Sequence, residues 1–157
     1  MHSTTEIAQY QLDAYNSQDI ENFIKWFDED VEVYNFPNEF LYSGTKIMRE
    51  SYTKMWSAHP NQKAILTDRI SVGKYAFDKE NVVGRSDGQE LNVIAIYEIE
   101  DSLIKKVFFV REWYTVVIFV SVDADKNFVN IIISVEKKCP EALYLLGFWA
   151  FTHKKYL

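Results

Sequence analysis

The chain has 157 residues, enough for one domain with a sizeable core. Hydrophobic residues make up 48% and aromatic residues 16%, which excludes a disordered chain and predicts an aromatic-rich interior. A formal net charge of −6 argues against a nucleic-acid partner, and the single Cys139 excludes an internal disulfide and suits a reducing compartment. The opening MHSTTEIAQY lacks the basic-then-apolar order of a secretion leader. No window reaches the ~18 uninterrupted apolar residues of a membrane span. The expectation is a soluble, cytoplasmic protein with no membrane or nucleic-acid partner.

The first predicted element is a helix opened by the capping-box pair Ser3 and Glu6. Ala8, Leu12 and Tyr15 recur along it at helical spacing, with Ile7 and Gln11 beside them. A turn at Asn16 to Asp19 leads to a second helix, capped by Asp19, through the stripe Ile20, Phe23, Ile24 and Phe27. Asp28-Glu29-Asp30 reads as the solvated end of that helix. No His or further carboxylate stands nearby at ligand spacing, so no metal site is expected there.

Val31, Val33 and Asn35 alternate with polar and aromatic residues as in a strand, which Pro37 ends. Ser43-Gly44 then breaks the chain before a third helix with Met48, Tyr52, Met55 and Trp56 on one stripe. Two apolar faces carrying a few hydrogen-bonding groups fit the wall of a ligand cavity, and they equally fit an ordinary core with a satisfied Asn and Tyr. His59-Pro60-Asn61 stops the third helix. His59 reads as a surface histidine at that helix end.

Four strand-like runs follow, at Lys63–Val72, Tyr75–Gly84, Leu91–Glu100 and Leu103–Val110, with turn chemistry between them. Asp78–Asn81 is too polar for a regular central strand and reads as a bulge or break. Strand parity groups Arg69 with Ile65, Thr67 and Ser71, and Asp68 with the apolar Ala64, Leu66, Ile70 and Val72. Asp68 therefore marks a bulge, a rim position or a raised-pKa carboxylate inside a pocket. Helices followed by an antiparallel meander predict an α+β domain whose curved sheet wraps the helices.

Residues 3–111 resemble the nuclear transport factor 2-like superfamily, in its SnoaL-like and ketosteroid-isomerase-like branch. The segments that carry the resemblance are AYNSQDIENFIKWFDEDVEVYNFP, SGTKIMRESY and VIAIYEIEDSLIKKVFF. It implies a cone-shaped barrel in which three N-terminal helices and a strongly curved, mostly antiparallel sheet enclose one apolar pocket. It also implies a homodimer through the sheet. Matched position by position, the isomerase base falls on Asn35, the first-helix tyrosine on Gln11 and the later aspartate on Ala95, while the third-helix tyrosine is kept as Tyr52. An amide has no usable basicity near neutral pH, so steroid isomerisation is not expected.

Two readings of function follow. One is a non-catalytic protein that binds a small apolar molecule through Gln11, Tyr15, Phe27, Val33, Asn35, Met48, Tyr52, Met55 and Trp56. The other is a SnoaL-like isomerase, cyclase or hydrolase acting on a carbonyl-bearing apolar molecule, with Asn35, Tyr52 and Asp68 as candidate catalytic residues. Neither calls for a cofactor or a metal. Gly-rich phosphate loops, Ser-His-Asp sets and Cys/His clusters are lacking in the sequence.

Residues 113–157 lie outside the resemblance and are expected to form a C-terminal extension to the 1–112 domain. Val116–Val122 and Phe128–Val135 read as a hairpin, and Pro140 opens a helix through Leu143, Leu146 and Trp149. So apolar a segment needs a covering surface. It fits a tail that occupies the usual dimer face and leaves the protein monomeric, and it also fits an extension with no evolved role.

Overall fold

A computed structural model describes residues 2–111 in full, and the backbone alone of 115–123 and 128–136. Two compact units divide at Glu112 and Trp113.

Within the first unit, among the described residues, three helices precede or interrupt a six-stranded sheet. Helix α1 spans Thr4–Ser17. Its start is fixed by the reciprocal Ser3 and Glu6 bonds, and Gln18 ends it in the left-handed conformation. Helix α2 is short, Ile20–Ile24, with Asp19 accepting from the Asn22 amide. Strand β1 spans Phe27–Asn35, β2 Glu39–Ser43, and helix α3 Thr45–Ala58. Strands β3 (Lys63–Val72), β4 (Tyr75–Val83), β5 (Leu91–Glu100) and β6 (Leu103–Arg111) follow. The sheet order is β2-β1-β6-β5-β4-β3, antiparallel except for the β1–β6 pair. It is curved and unclosed, with β2 and β3 as its edges.

The second helix is shorter than its hydrophobic stripe predicts. Phe27 belongs to β1, where it pairs with Ile104, and Asp28–Asp30 are strand residues rather than a helix end. Asp28 points outward to Lys105. A buried phenylalanine four residues after Phe23 satisfies either period, and pairing with β6 decides for the strand. Strand β2 lacked a sequence signal because it is an edge strand with no fully buried residue.

The predicted break at Asp78–Asn81 is absent: β4 pairs with β5 without interruption from Tyr75 to Val82. The irregularity sits on β3, where the register shifts between Leu66 and Asp68. This bulge reverses the parity read from the sequence. Arg69 turns inward, while Asp68, Ile70 and Val72 face out, exposed.

The core lies between the concave face of the sheet and the helices. Ile7 and Ala8 of α1, Phe23 of α2 and Met48 and Trp56 of α3 pack on Val31, Val33, Ala95, Tyr97, Ile104 and Val107. Rings fill much of it: Tyr52 lies 4.6 Å from Phe23 and Trp56 lies 5.8 Å from Tyr15 between centroids. Among the described residues no helix is long and apolar enough to cross a membrane.

The second unit contains strands β7 (Thr115–Asp123) and β8 (Phe128–Glu136), which pair antiparallel. The helix expected after Pro140 lies outside the described residues.

Candidate functional site

Strand registers place the polar interior residues in adjoining rows across the concave face. One row runs Arg69, Asp78, Ala95, Phe109, Asn35 from β3 to β1. The next, toward the Asn35 end, runs Leu66, Glu80, Val93, Arg111. On the other side lie Ser71, Ala76, Tyr97, Val107 and Val33. Period-two alternation aims Asp78 and Glu80 to the same side as the buried Ala76 and Val82.

Arg69 grips Asp78 through two parallel bonds of 2.6 Å, and its Nη1 also donates to Gln9 Oε1 at 2.9 Å. Asp78 is fully buried, so this planar fork replaces the water its carboxylate gives up. One strand over, Gln11 Nε2 donates to the Tyr97 hydroxyl at 3.0 Å and to the Ala8 carbonyl at 3.1 Å. Burial, with the nearby Glu80 and Asp78 charges, pushes the Tyr97 phenol well above its usual range. That hydroxyl stays protonated and keeps its own hydrogen to donate.

Glu80 differs from Asp78. It is 8% exposed, and its Oε1 has no hydrogen-bond partner among the described residues. Burial first, then the Asp78 carboxylate, pushes its pKa up to about 8, against the opposing pull of Arg69 and Arg111. Glu80 is thus mostly a neutral carboxylic acid near pH 7. Leaving a buried polar atom unpaired costs about 1–3 kcal/mol, a cost an ordinary core avoids.

At the Asn35 end the wall is less deeply covered. Asn35 Nδ2 donates to Glu39 Oε2 at 3.2 Å, and the Arg111 guanidinium lies 4.1 Å from the centre of the half-buried Phe109 ring.

The structure brings most of the sequence-predicted residues together. Phe27, Val33, Met48 and Trp56 share one buried cluster, and Tyr15, Tyr52 and Met55 pack against it. Gln11 and Asn35 are buried on the polar wall. Tyr15 is tied to a second network, in which Gln62 Nε2 donates to its hydroxyl and Arg85 donates to Gln62 Oε1 at 3.1 Å. Asp87, paired with Arg85, has a pKa lowered to about 2 by that contact. Asp68 stands apart on the outer side. His59 caps α3 and accepts from the Ser86 amide. Sequence reasoning missed Asp78, Glu80, Tyr97 and the inward turn of Arg69. The parity of Asp78 and Glu80 with Ala76 and Val82 was the available signal.

Two surface grooves lie away from this wall. One, of about 260 Å³, runs between Tyr10, Asp13, Asn22 and Trp26, and the other, of about 250 Å³, between Gln18, Ile20, Thr53 and Trp56.

Residues 8–107 match the model of the SnoaL-like domain, and the chain belongs to that family. The fold agrees. An uncharacterised cystatin-fold protein from Novosphingobium aromaticivorans is 25% identical, with a TM-score of 0.66 over 71% of this chain and 100% of its own. An NTF2-like protein of unknown function from Cytophaga hutchinsonii is 13% identical, with a TM-score of 0.60 over 71% and 92%. A candidate ketosteroid isomerase from Kribbella flavida is 20% identical, with a TM-score of 0.60 over 69% and 77%. No curated protein sequence matches the chain.

Proposed function

We propose that this protein binds a small apolar molecule bearing a carbonyl or hydroxyl group against the concave wall of the sheet. One observation carries the reading: Gln11, Asn35, Tyr97 and Glu80, whose Oε1 has no hydrogen-bond partner among the described residues, lie beside the Arg69–Asp78 pair in an aromatic-rich interior. Such a wall offers apolar contact area with a few fixed donors and acceptors, which is how ligand sites combine affinity with orientation. One neighbour in fold is a protein named for ketosteroids. Native mass spectrometry of the purified protein tests for a retained ligand. Asn35→Ala and Tyr52→Phe are expected to weaken retention, and unchanged binding in both variants would remove this assignment.

Enzymatic turnover of such a ligand is the second reading, and one feature favours it. Asn35 and Ala95 supply no acid or base, whereas Glu80 places a proton-exchanging carboxyl on the same wall with a pKa of about 8.

A homodimer through the sheet is proposed on separate grounds. The outer face carries a row from Ile70 through Phe77, Ile96, Phe108 and Tyr34 to Phe40, crossing all six strands. Ile70 is 60% and Phe40 56% exposed, and a continuous apolar row of this kind suits a self-complementary contact. Analytical ultracentrifugation tests it, with Phe108→Glu expected to shift a dimer to monomer.

A further inference from the structure

We propose that His59 is a pH-sensitive latch: its neutral ring holds the loop after β4, residues 84–90, against the loop after α3, residues 59–62, and its protonation releases that hold.

The two loops meet through a short set of contacts. The Ser86 amide donates to His59 Nδ1 at 3.2 Å, and the Ser86 hydroxyl donates to the Ala58 carbonyl at 2.8 Å. Arg85 Nη1 donates to Gln62 Oε1 at 3.1 Å, and Gln62 Nε2 in turn donates to the Tyr15 hydroxyl of α1. Gly84 lies against the Asn61 carbonyl with no room for a Cβ. Arg85 and Gln62 are buried, whereas Ser86 is exposed, so the His59 bond is what shields its amide from water. Of these groups, His59 is the one whose kind ordinarily titrates between pH 5 and 8.

The direction of the Ser86 bond sets its response to acid. Nδ1 accepts, so the neutral ring carries its hydrogen on Nε2. A second proton adds at Nδ1 and turns the acceptor into a donor that faces the Ser86 N–H. That bond is then lost. The neighbours of the ring decide where it goes next. From α1 comes the uncharged Gln18 amide, which donates to the His59 carbonyl. From α3 come the Met55 and Ala58 carbonyls, which already accept from the His59 amide and the Ser86 hydroxyl. The charged groups come from the loop after β4. They are Arg85 and Asp87, whose pKa Arg85 lowers to about 2, with a smaller contribution from a charged His59. Asp87 is therefore ionised throughout, and a charged ring is drawn toward its carboxylate and away from the Ser86 amide. The Ser86 hydroxyl and the Arg85–Gln62 bond remain, so acid loosens the loops locally at the flank where Gln62 meets Tyr15.

Imidazole nitrogen NMR and amide hydrogen exchange of the full chain between pH 8 and pH 5 test this. At pH 8 the His59 ring should be the Nε2–H tautomer. Ser86 protection, corrected for the intrinsic pH dependence of exchange, should fall roughly ten-fold as His59 protonates, the worth of about one hydrogen bond. The Ile104 amide, held by the Trp26 carbonyl at 2.8 Å, reports on the domain as a whole and should not fall in step. His59→Asn puts an amide oxygen near the Nδ1 position and should keep Ser86 protected at both pH values. His59→Leu should leave it unprotected at both. An Nδ1–H tautomer at pH 8 overturns the proposal, as does Ser86 protection that is the same at pH 8 and pH 5. Equal losses at Ser86 and Ile104 would mean general acid unfolding in place of a latch. A pH response that persists in His59→Asn would belong to another group and remove His59 from the role.

Discussion

Arg69 and Asp78 form a buried, two-bond ion pair only because a bulge between Leu66 and Asp68 turns Arg69 into the sheet's concave side. Without that extra residue, Arg69 would face out and Asp78 would be an unmatched interior charge. Removing one partner should therefore be far worse than removing both. Asp78→Ala or Arg69→Ala is expected to cost about 3–5 kcal/mol in urea denaturation, while the double change Arg69→Met with Asp78→Leu recovers most of that loss. Equal losses in the single and double variants would show that the pair is not energetically coupled.

Glu80 makes stability depend on pH in a direction opposite to most acids. Its folded-state pKa is about 8 against 4.5 for the ordinary side chain, so between these values the folded chain holds a proton that the unfolded chain has released. Below pH 4.5 both states are protonated and the group is neutral in the balance. As pH rises to about 8, folding loses stability at up to about 1.4 kcal/mol per pH unit from this one group. Glu80→Gln removes the titration. Its stability relative to the parent should climb across that window and level off above it, as measured by denaturant melts at a series of pH values. A difference that stays flat with pH would mean Glu80 ionises normally in the folded state.

Much of this fold can be read in the sequence because the signals there are local. The Ser3–Glu6 capping box, the Asp19 cap and the Gly73-Lys74 and Asp101-Ser102 turns each act within a few residues, and the helix starts and strand ends they set fall where expected, although α2 ends early. The site is less legible because its key residues depend on partners far along the chain. Asp78 and Glu80 look like a break in a strand until Arg69, 9 positions earlier, and the covering helix are in place. The direction of Arg69 turns on a bulge, and a one-residue slip of that kind inverts every later side chain on the strand. Asn35 and Ala95 are legible as altered positions, whereas the acid on the neighbouring row shows only through the parity of Glu80 with Ala76 and Val82.

Gly84 is the position where backbone geometry tolerates no side chain. Its φ is +74°, and a methyl group there would sit 2.2 Å from the Asn61 carbonyl oxygen. The contact is with backbone, so it cannot be relieved by a rotamer change. It also lies beside Gln62 and Arg85, which join the loop after α3 to the end of β4. Gly84→Ala should destabilise the protein by more than the ~1 kcal/mol of an ordinary glycine replacement, through both strain and the forced separation of these loops. Gly88→Ala is the control, because its φ is also positive, at +72°, but nothing lies within 4 Å of the added carbon. Thermal melts of the two variants should differ clearly, with Gly84→Ala the lower.

The boundary at Glu112 predicts that the first unit folds alone. The family match ends at residue 107, inside β6, and the Novosphingobium protein is covered over its whole length by 71% of this chain. The six strands and three helices described above lie within residues 2–111, and every strand of this sheet pairs with another from the same span. A chain cut after Glu112 should therefore give native-like circular dichroism, dispersed amide resonances and a cooperative urea transition. Its oligomeric state, compared with that of the full chain by ultracentrifugation, reports separately on the outer row of Ile70, Phe77, Ile96 and Phe108. A truncated chain that lacks dispersed resonances would show that residues 113–157 are needed for folding, and the two units would then have to be treated as one.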